Sequence, residues 1–130
     1  MVVDSSALVA VLLNEPERRA FLARMLIERV KLISVASVLE SAIVMEQRLG
    51  EAGVQRMDRY MERIGMKAVP IDLEQLALAR TAFRQYGKGR HRAGLNFGDC
   101  FAYALARQRN LPLLYKGGDF GHTDIMPALA

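Results

Sequence analysis

The chain is short of the residues that build disulfides and membrane anchors. It has one cysteine, Cys100, which excludes an internal disulfide and suits the reducing cytoplasm. No apolar run is long enough to span a bilayer. The apolar stretch 7–13 follows an acid, Asp4, and lacks the basic leader of a secretory signal. These absences predict a cytoplasmic protein that does not enter a membrane.

What the chain does have is enough apolar material for one packed domain. Hydrophobic residues make up 52% of the sequence, and no repeat, linker or low-complexity tract divides it. We therefore predict a single domain over residues 1–130. Basic residues outnumber acidic ones, 18 against 14, which fits a polyanion held by its backbone and equally fits a merely soluble surface.

Apolar periodicity predicts strands that alternate with helices. Strands are expected at 1–4, 31–35, 66–71 and 111–115, with a short last strand beginning at Ile125. Helices are expected at 7–14, 16–29, 38–49, 53–64, 73–86 and 97–109, the first of them capped by Ser5 or Ser6. This alternation is typical of an α/β fold with a mostly parallel sheet covered on both faces. Ligands of such folds bind outside the carboxyl ends of the strands.

Four acidic residues lie beside apolar segments, where strands end or helices begin: Asp4, Glu40, Asp99 and Asp119. Each alone has a structural explanation, because Asp4 can cap a helix and Asp119 follows two glycines in a turn. Glu40 and Asp99 each stand three residues after a serine or an asparagine, as in a capping box. All four serving only as caps is less plausible, since their elements converge on one edge of the sheet.

Clustered carboxylates beside a core need compensation, and a hard divalent cation such as Mg²⁺ is the usual one. A bound cation can activate water for attack on a phosphodiester and neutralise the charge that develops. Without the cation the carboxylates repel one another, which is expected to raise the pKa of at least one. The residue types therefore predict metal-dependent phosphate chemistry without a protein nucleophile, and we interpret Cys100 as a buried helix residue.

Four segments carry a resemblance to a known family. They are VDSSAL (3–8), ASVLE (36–40), LNFGDCFAYALA (95–106), and LYKGGDF (114–120) with TDI (123–125). In this order and spacing, over essentially its whole length, the chain resembles PIN-domain ribonucleases, and within them the VapC toxins of bacterial toxin–antitoxin pairs. The segment NFGDC (96–100) is the most specific part of the match.

The resemblance implies a PIN-like three-layer α/β/α fold with a central, mostly parallel sheet of four to five strands. It implies a metal-dependent endoribonuclease whose pocket is formed by Asp4, Glu40, Asp99 and Asp119. Mg²⁺, or Mn²⁺, would be held chiefly by Asp4 and Asp99. Members often carry a polar or acidic residue where Gly118 stands, so Asp119 is the only acid of that turn and Asp124 is an alternative to it.

The resemblance also implies partners. These are an RNA substrate, with tRNA as the family-level expectation, a cognate antitoxin seated in a groove of the helices over 38–64, and a second copy in a homodimer. Lys88, Arg90 and Arg92, in a basic loop before the Asp99 helix, are candidates for binding RNA phosphates, although a solvated loop explains them equally well. Ser5 either orients metal-bound water or caps a helix, and Lys116 either pairs with the acids or covers an apolar edge.

Two other functions remain open at this point. A receiver-like signalling domain also has an acidic Mg²⁺ site in an α/β fold, but it needs a phosphate-accepting aspartate after a later strand, and only Asp72 comes near. A non-catalytic module that binds RNA or a protein partner would carry a vestigial site. The presence of all four acids argues against that second alternative.

Overall fold

The computed structural model describes residues 1–129. It has a four-stranded, wholly parallel sheet in the order β3-β2-β1-β4. Its elements, in chain order, are β1 (Val2–Val3), α1 (Ser5–Leu12), α2 (Arg18–Ile27), β2 (Lys31–Ser34), α3 (Val35–Ile64), β3 (Met66–Val69), α4 (Leu73–Tyr86), α5 (Phe97–Arg109) and β4 (Leu113–Leu114). A short 3₁₀ turn follows at Phe120–His122. Over the described residues, no helix is both long and apolar enough to cross a membrane.

Strands β1, β2 and β4 are buried because helices cover both faces of the sheet, whereas Lys67 and Ala68 of the edge strand β3 are exposed. Successive strand residues point to opposite sides, so each strand contributes to two separate cores. Val2, Leu32 and Leu113 pack with α4 and α5. The residues that follow them in sequence pack with α1, α2 and α3 in the other core: Val3, Ile33 and Leu114. This arrangement confirms the three-layer α/β/α fold.

Several boundaries differ from the sequence-based prediction at the ends of elements. The first helix begins at Ser5, and its cap is Asp4, not Ser5 or Ser6. The last strand predicted at Ile125 is wrong, because the chain after Ile125 pairs with β4 only through an isolated bridge between Pro127 and Leu113. The sheet therefore has four strands within residues 1–129.

The helices predicted at 38–49 and 53–64 form one long element, α3, which is interrupted at Gly50. Gly50 has φ 69° and ψ −161°, a backbone conformation that L side chains rarely adopt. The element also begins earlier than predicted, directly after β2, with Ser34 as its cap. Glu40 consequently lies in the second turn of α3, so the capping box considered with Ser37 is wrong.

The topology brings distant segments to one edge of the sheet. Asp4 follows β1, α3 follows β2 without a loop, and the segment with Asp119 follows β4. All the strands run in the same direction, so these three points lie at the carboxyl edge. The structure thus provides the edge at which the sequence predicts the site.

Candidate active site

Asp4 is buried at the end of the central strand, with 3% of its surface exposed. Its Oδ2 accepts hydrogen bonds from the Ser6 backbone N–H (3.0 Å) and from Ser6 Oγ (2.6 Å). Ser6 Oγ in turn accepts the backbone N–H of Lys116 at 2.9 Å, which ties the end of β4 to the start of α1. Burial raises the pKa of Asp4, and the charge of Glu40 adds to the rise. The hydrogen bonds from Ser6 lower the pKa but do not cancel the effect of burial.

Glu40 reaches the site from the second turn of α3. Its Oε1 accepts a hydrogen bond from Ser5 Oγ, so Ser5 connects α1 to α3. Its carboxyl group lies against Gly98, where an added Cβ would come within 2.5 Å of Glu40 Oε2. The glycine before Asp99 therefore leaves room for the carboxylate of α3 at the start of α5.

Asp99 lies in the first turn of α5 and forms a capping box with Asn96. Its backbone N–H donates to Asn96 Oδ1 (2.9 Å), and its Oδ2 accepts from the Asn96 N–H (3.0 Å). The pKa of Asp99 is raised to about 6, mainly by burial and further by the negative charges of Asp4, Asp119 and Glu40, while the Asn96 hydrogen bond opposes the rise. The predicted rise is present, although burial rather than repulsion is its larger cause.

Asp119 completes this group from the turn after β4. It is exposed, stands at the start of the 3₁₀ turn and makes no capping hydrogen bond with its side chain. Asp124, the alternative fourth acid, is engaged elsewhere. Its Oδ1 accepts from the Tyr103 hydroxyl at 2.6 Å, and its Oδ2 lies 3.5 Å from Arg107 Nη1.

The donor set fits a hard divalent cation in its chemistry and charge, but the ligands are not already gathered around a single point. Among residues 1–129, no three acidic, histidine or cysteine side chains are arranged as a ready metal site. The hydrogen bonds to Asp4, Glu40 and Asp99 each fall on one oxygen, so a second oxygen of each is available to a cation. Asp4, which is buried, and Asp99, which is half-buried, both have raised pKa values, and perturbed carboxyl groups of this kind are common at functional sites.

Among residues 1–129, the basic candidates make no hydrogen bond or ion pair with the four acids. Lys88, Arg90 and Arg92 are exposed, and the Arg90 guanidinium stands 5.8 Å from the centre of the Phe83 ring. Lys116 does not pair with the four acids. Its Nζ lies 2.8 Å from Glu15 and 3.4 Å from Glu17, two acids between α1 and α2.

Sequence reasoning missed three residues that shape the site. Ser6 holds Asp4, Gly98 admits Glu40, and Tyr103 binds Asp124. The serine pair after Asp4 and the glycine before Asp99 were visible in the motifs, but which atoms they meet depends on segments far along the chain. Tyr103 has the helical spacing of a core residue and gave no separate signal.

Fold and acidic edge together define a class of protein. The chain belongs to the PIN domain family, since a sequence model of that domain matches residues 1–126. Within the family its relatives are VapC proteins. It is 50% identical over 125 residues to VapC ribonuclease Mb0640 of Mycobacterium bovis, covering 96% of this chain and 95% of that protein. This membership excludes the receiver-like alternative.

Two solved structures share the fold at low sequence identity. The VapC20 toxin of Mycobacterium tuberculosis, described as cleaving the sarcin–ricin loop, superposes with a TM-score of 0.81 at 13% identity, covering 99% of this chain and 98% of that one. A toxin–antitoxin complex from Klebsiella pneumoniae gives 0.74 at 15% identity, with 95% and 92% covered. At these identities the likeness is one of fold alone.

Proposed function

We propose that this protein is a metal-dependent endoribonuclease that acts as the toxin of a toxin–antitoxin pair. The observation that carries the proposal is that four carboxyl groups from separate parts of the chain lie near the carboxyl edge of the sheet, where the charges of Asp4, Glu40 and Asp119 all act on Asp99. The ribonuclease names of its VapC relatives support the reaction type.

Mg²⁺ or Mn²⁺ is the proposed cofactor, with Asp4 and Asp99 as ligands and Glu40 and Asp119 completing the pocket. When bound, the cation supplies an activated water and neutralises charge on the phosphate. Ser6 orients Asp4 by bonding one of its oxygens, and Ser5 orients Glu40 in the same way. Asp99 is oriented by its own helix cap, so the protein holds each carboxylate from one side.

RNA is the proposed substrate, with tRNA as the class that the family resemblance favours. Lys88, Arg90 and Arg92 lie on the loop that leads into α5, where guanidinium and ammonium groups can bind phosphates without reading bases. The Arg90 guanidinium lies over the Phe83 ring in a cation–π contact.

A cleft between the end of α1 and the second half of α3 is the proposed seat of the antitoxin. It has a volume of about 350 Å³, a floor that includes Val11 and Leu12, and a basic rim formed by Arg18, Arg56, Arg59 and Arg63. Within residues 1–129 none of these four arginines makes an ion pair. An occupant with apolar and acidic side chains would complement the cleft. The methionines of α3, at 45, 57 and 61, are buried in the core and do not line it.

A second copy of the chain is proposed to cover the apolar face between α4 and α5. Leu73 and Phe97 are 84% and 79% exposed, and Leu76, Phe83 and Phe101 line a groove of about 380 Å³ beside them. Exposed apolar patches of this kind mark interfaces. Leu76→Asp should convert a dimer to a monomer in light scattering, whereas Leu26→Asp, at an exposed leucine of α2, should not.

The proposed function is tested with total RNA in the presence of Mg²⁺ or Mn²⁺, followed by sequencing of the cut ends. The wild type should cleave, a chelator should stop it, and Asp99→Asn should be inactive. Asp58→Asn, at an exposed acid of α3 outside the site, is the matched control. Normal cleavage by Asp99→Asn contradicts the assignment, and RNA binding without cleavage at any metal concentration favours the non-catalytic module.

A further inference from the structure

Helix α5 carries Asp99 and also grips the segment that carries Asp119. Tyr103 and Arg107 lie one and two turns after Asp99, on the same face of the helix. Both contact Asp124, at 2.6 Å from the Tyr103 hydroxyl to Oδ1 and 3.5 Å from Arg107 Nη1 to Oδ2. Asp124 stands five residues after Asp119. Helix α5 therefore carries Asp99 and also contacts the segment that contains Asp119.

The tyrosine bond is the stronger of the two contacts. Tyr103 is buried, with 5% of its surface exposed, and its short bond to a carboxylate is charge-assisted. Burial and the bond to Asp124 both raise the pKa of Tyr103 well above its usual range, so the hydroxyl remains a donor. The Arg107 and Asp124 side chains are each about half exposed, and ion pairs of that kind contribute little.

The stretch before Asp119 has little restraint of its own, whereas residues 118–123 form a short turn with its own hydrogen bonds. Gly117, with φ 94°, and Gly118 precede Asp119, and both are exposed. The 3₁₀ turn is three residues long, and the Asp119 side chain makes no cap. On the near side Phe120 is buried against Tyr115, with 5.2 Å between ring centres. On the far side Thr123 bonds to Phe120 and Ile125, Ile125 is buried, and the bond to Asp124 adds a tie from the segment to α5.

We propose that Tyr103, through Asp124, is a positioning residue that holds the 117–124 segment so that Asp119 faces Asp99. Asp124 then belongs to this restraint and is not a ligand of the cation. The inference rests on the proposed metal site, because it assigns how the fourth acid of that site is kept in place.

The test measures Mn²⁺ affinity by calorimetry and uses Tyr103→Phe, which removes only the hydroxyl. Tyr103→Phe should weaken Mn²⁺ binding about tenfold, as loss of an outer partner of a ligand does. Tyr60→Phe is the matched control. It removes a hydroxyl that donates to Met25 Sδ, and neither residue belongs to the 117–124 segment, so the Mn²⁺ affinity should be unchanged. In an Asp119→Asn background, Tyr103→Phe should have no further effect, because its action runs through Asp119.

Equal weakening in both backgrounds, or wild-type affinity of Tyr103→Phe, overturns the inference. A severe loss in Asp124→Asn together with normal binding by Tyr103→Phe would overturn it too, and would make Asp124 a ligand. Absence of Mn²⁺ binding by the wild type refutes the proposed metal site instead. In that case amide exchange decides the restraint, because exchange over 117–124 should accelerate in Tyr103→Phe and not in Tyr60→Phe, and unchanged exchange refutes it.

Discussion

Asp99 shows at the scale of one residue that a structural and a chemical role can coincide. One oxygen closes a capping box with Asn96, which explains the residue fully as a helix start. Burial and the charges of Asp4, Asp119 and Glu40 raise the pKa of the same carboxyl group. The two roles that the sequence suggests for Asp99, helix cap and member of the acidic site, are therefore compatible.

The raised pKa of Asp99 makes stability depend on pH. In the unfolded chain Asp99 loses its proton near 3.8 and in the folded protein near 6, so the folded state binds more protons between these values. Stability from this group is full below pH 4 and falls as the pH rises to 6. In Asp99→Asn this fall is absent, and the asparagine oxygen can still accept the Asn96 N–H.

We expect the free energy of unfolding of Asp99→Asn to gain roughly 1 kcal/mol on the wild type between pH 4 and 6.5, after allowance for solvent screening. Thermal denaturation in the presence of a chelator measures the difference. A constant difference between the two proteins across this range would show that Asp99 has an ordinary pKa. Cleavage by the variant at pH 7.5 should fall at least about 100-fold.

At the scale of elements, the site depends on the close approach of α3 to α5. Gly98 allows this approach, since a Cβ there would overlap the Glu40 carboxyl group. The overlapping atoms are the far end of a flexible side chain, so an alanine can be accommodated if the carboxylate moves away. We therefore expect Gly98→Ala to leave the fold stable while it displaces the Glu40 carboxylate from the site.

Gly98→Ala should keep or raise thermal stability, by up to about 1 kcal/mol from helix propensity, while cleavage falls at least about tenfold. Glu40→Gln is the comparison, because it removes the charge without moving α5. If Glu40→Gln is impaired and Gly98→Ala is fully active, the carboxylate does not need its present position. A loss of stability in Gly98→Ala would instead mean that the helices, not the side chain, had moved.

At the scale of the whole molecule, a cation bound by Asp4 and Asp99 in the proposed pocket should stabilise the fold, because it would join segments that are far apart in the chain. It binds the folded state alone, because the acids are separated along the unfolded chain, and stability then rises with its concentration. At a hundred times its dissociation constant, Mn²⁺ should add about 2.7 kcal/mol. Differential scanning fluorimetry should show this rise for the wild type and Asp58→Asn and its loss in Asp99→Asn, and an equal rise in all three would place the ion elsewhere.

The basic cleft makes a prediction about assembly at the same scale. Reversing Arg59 to Glu should weaken binding of the proposed antitoxin, because the rim would then repel acidic side chains. Arg29→Glu, at an exposed arginine outside the cleft, is the matched control. Pull-down and calorimetry with the co-expressed pair measure the change. Equal affinities for both variants would remove the cleft from the interface.

Much of the fold can be predicted from the amino-acid sequence, because local sequence patterns are strong in a parallel α/β protein. Apolar runs mark the strands, helical spacing marks the helices, and parallel connections force Asp4 and Asp119 to the same edge. Short strands and helix starts were less predictable. The start of α3 directly after β2, and the replacement of the expected strand at Ile125 by a bridge at Pro127, follow from tertiary pairing.

Contacts between distant segments could be seen only in three dimensions. No spacing rule joins Gly98 to Glu40 or Tyr103 to Asp124, because such pairs depend on how helices pack across the sheet. The same holds for the raised pKa of Asp99, which needs burial and three charges brought from other elements. Residue types thus indicate which chemistry is possible. The distances between side chains, which only folding sets, determine the role that each acid can take.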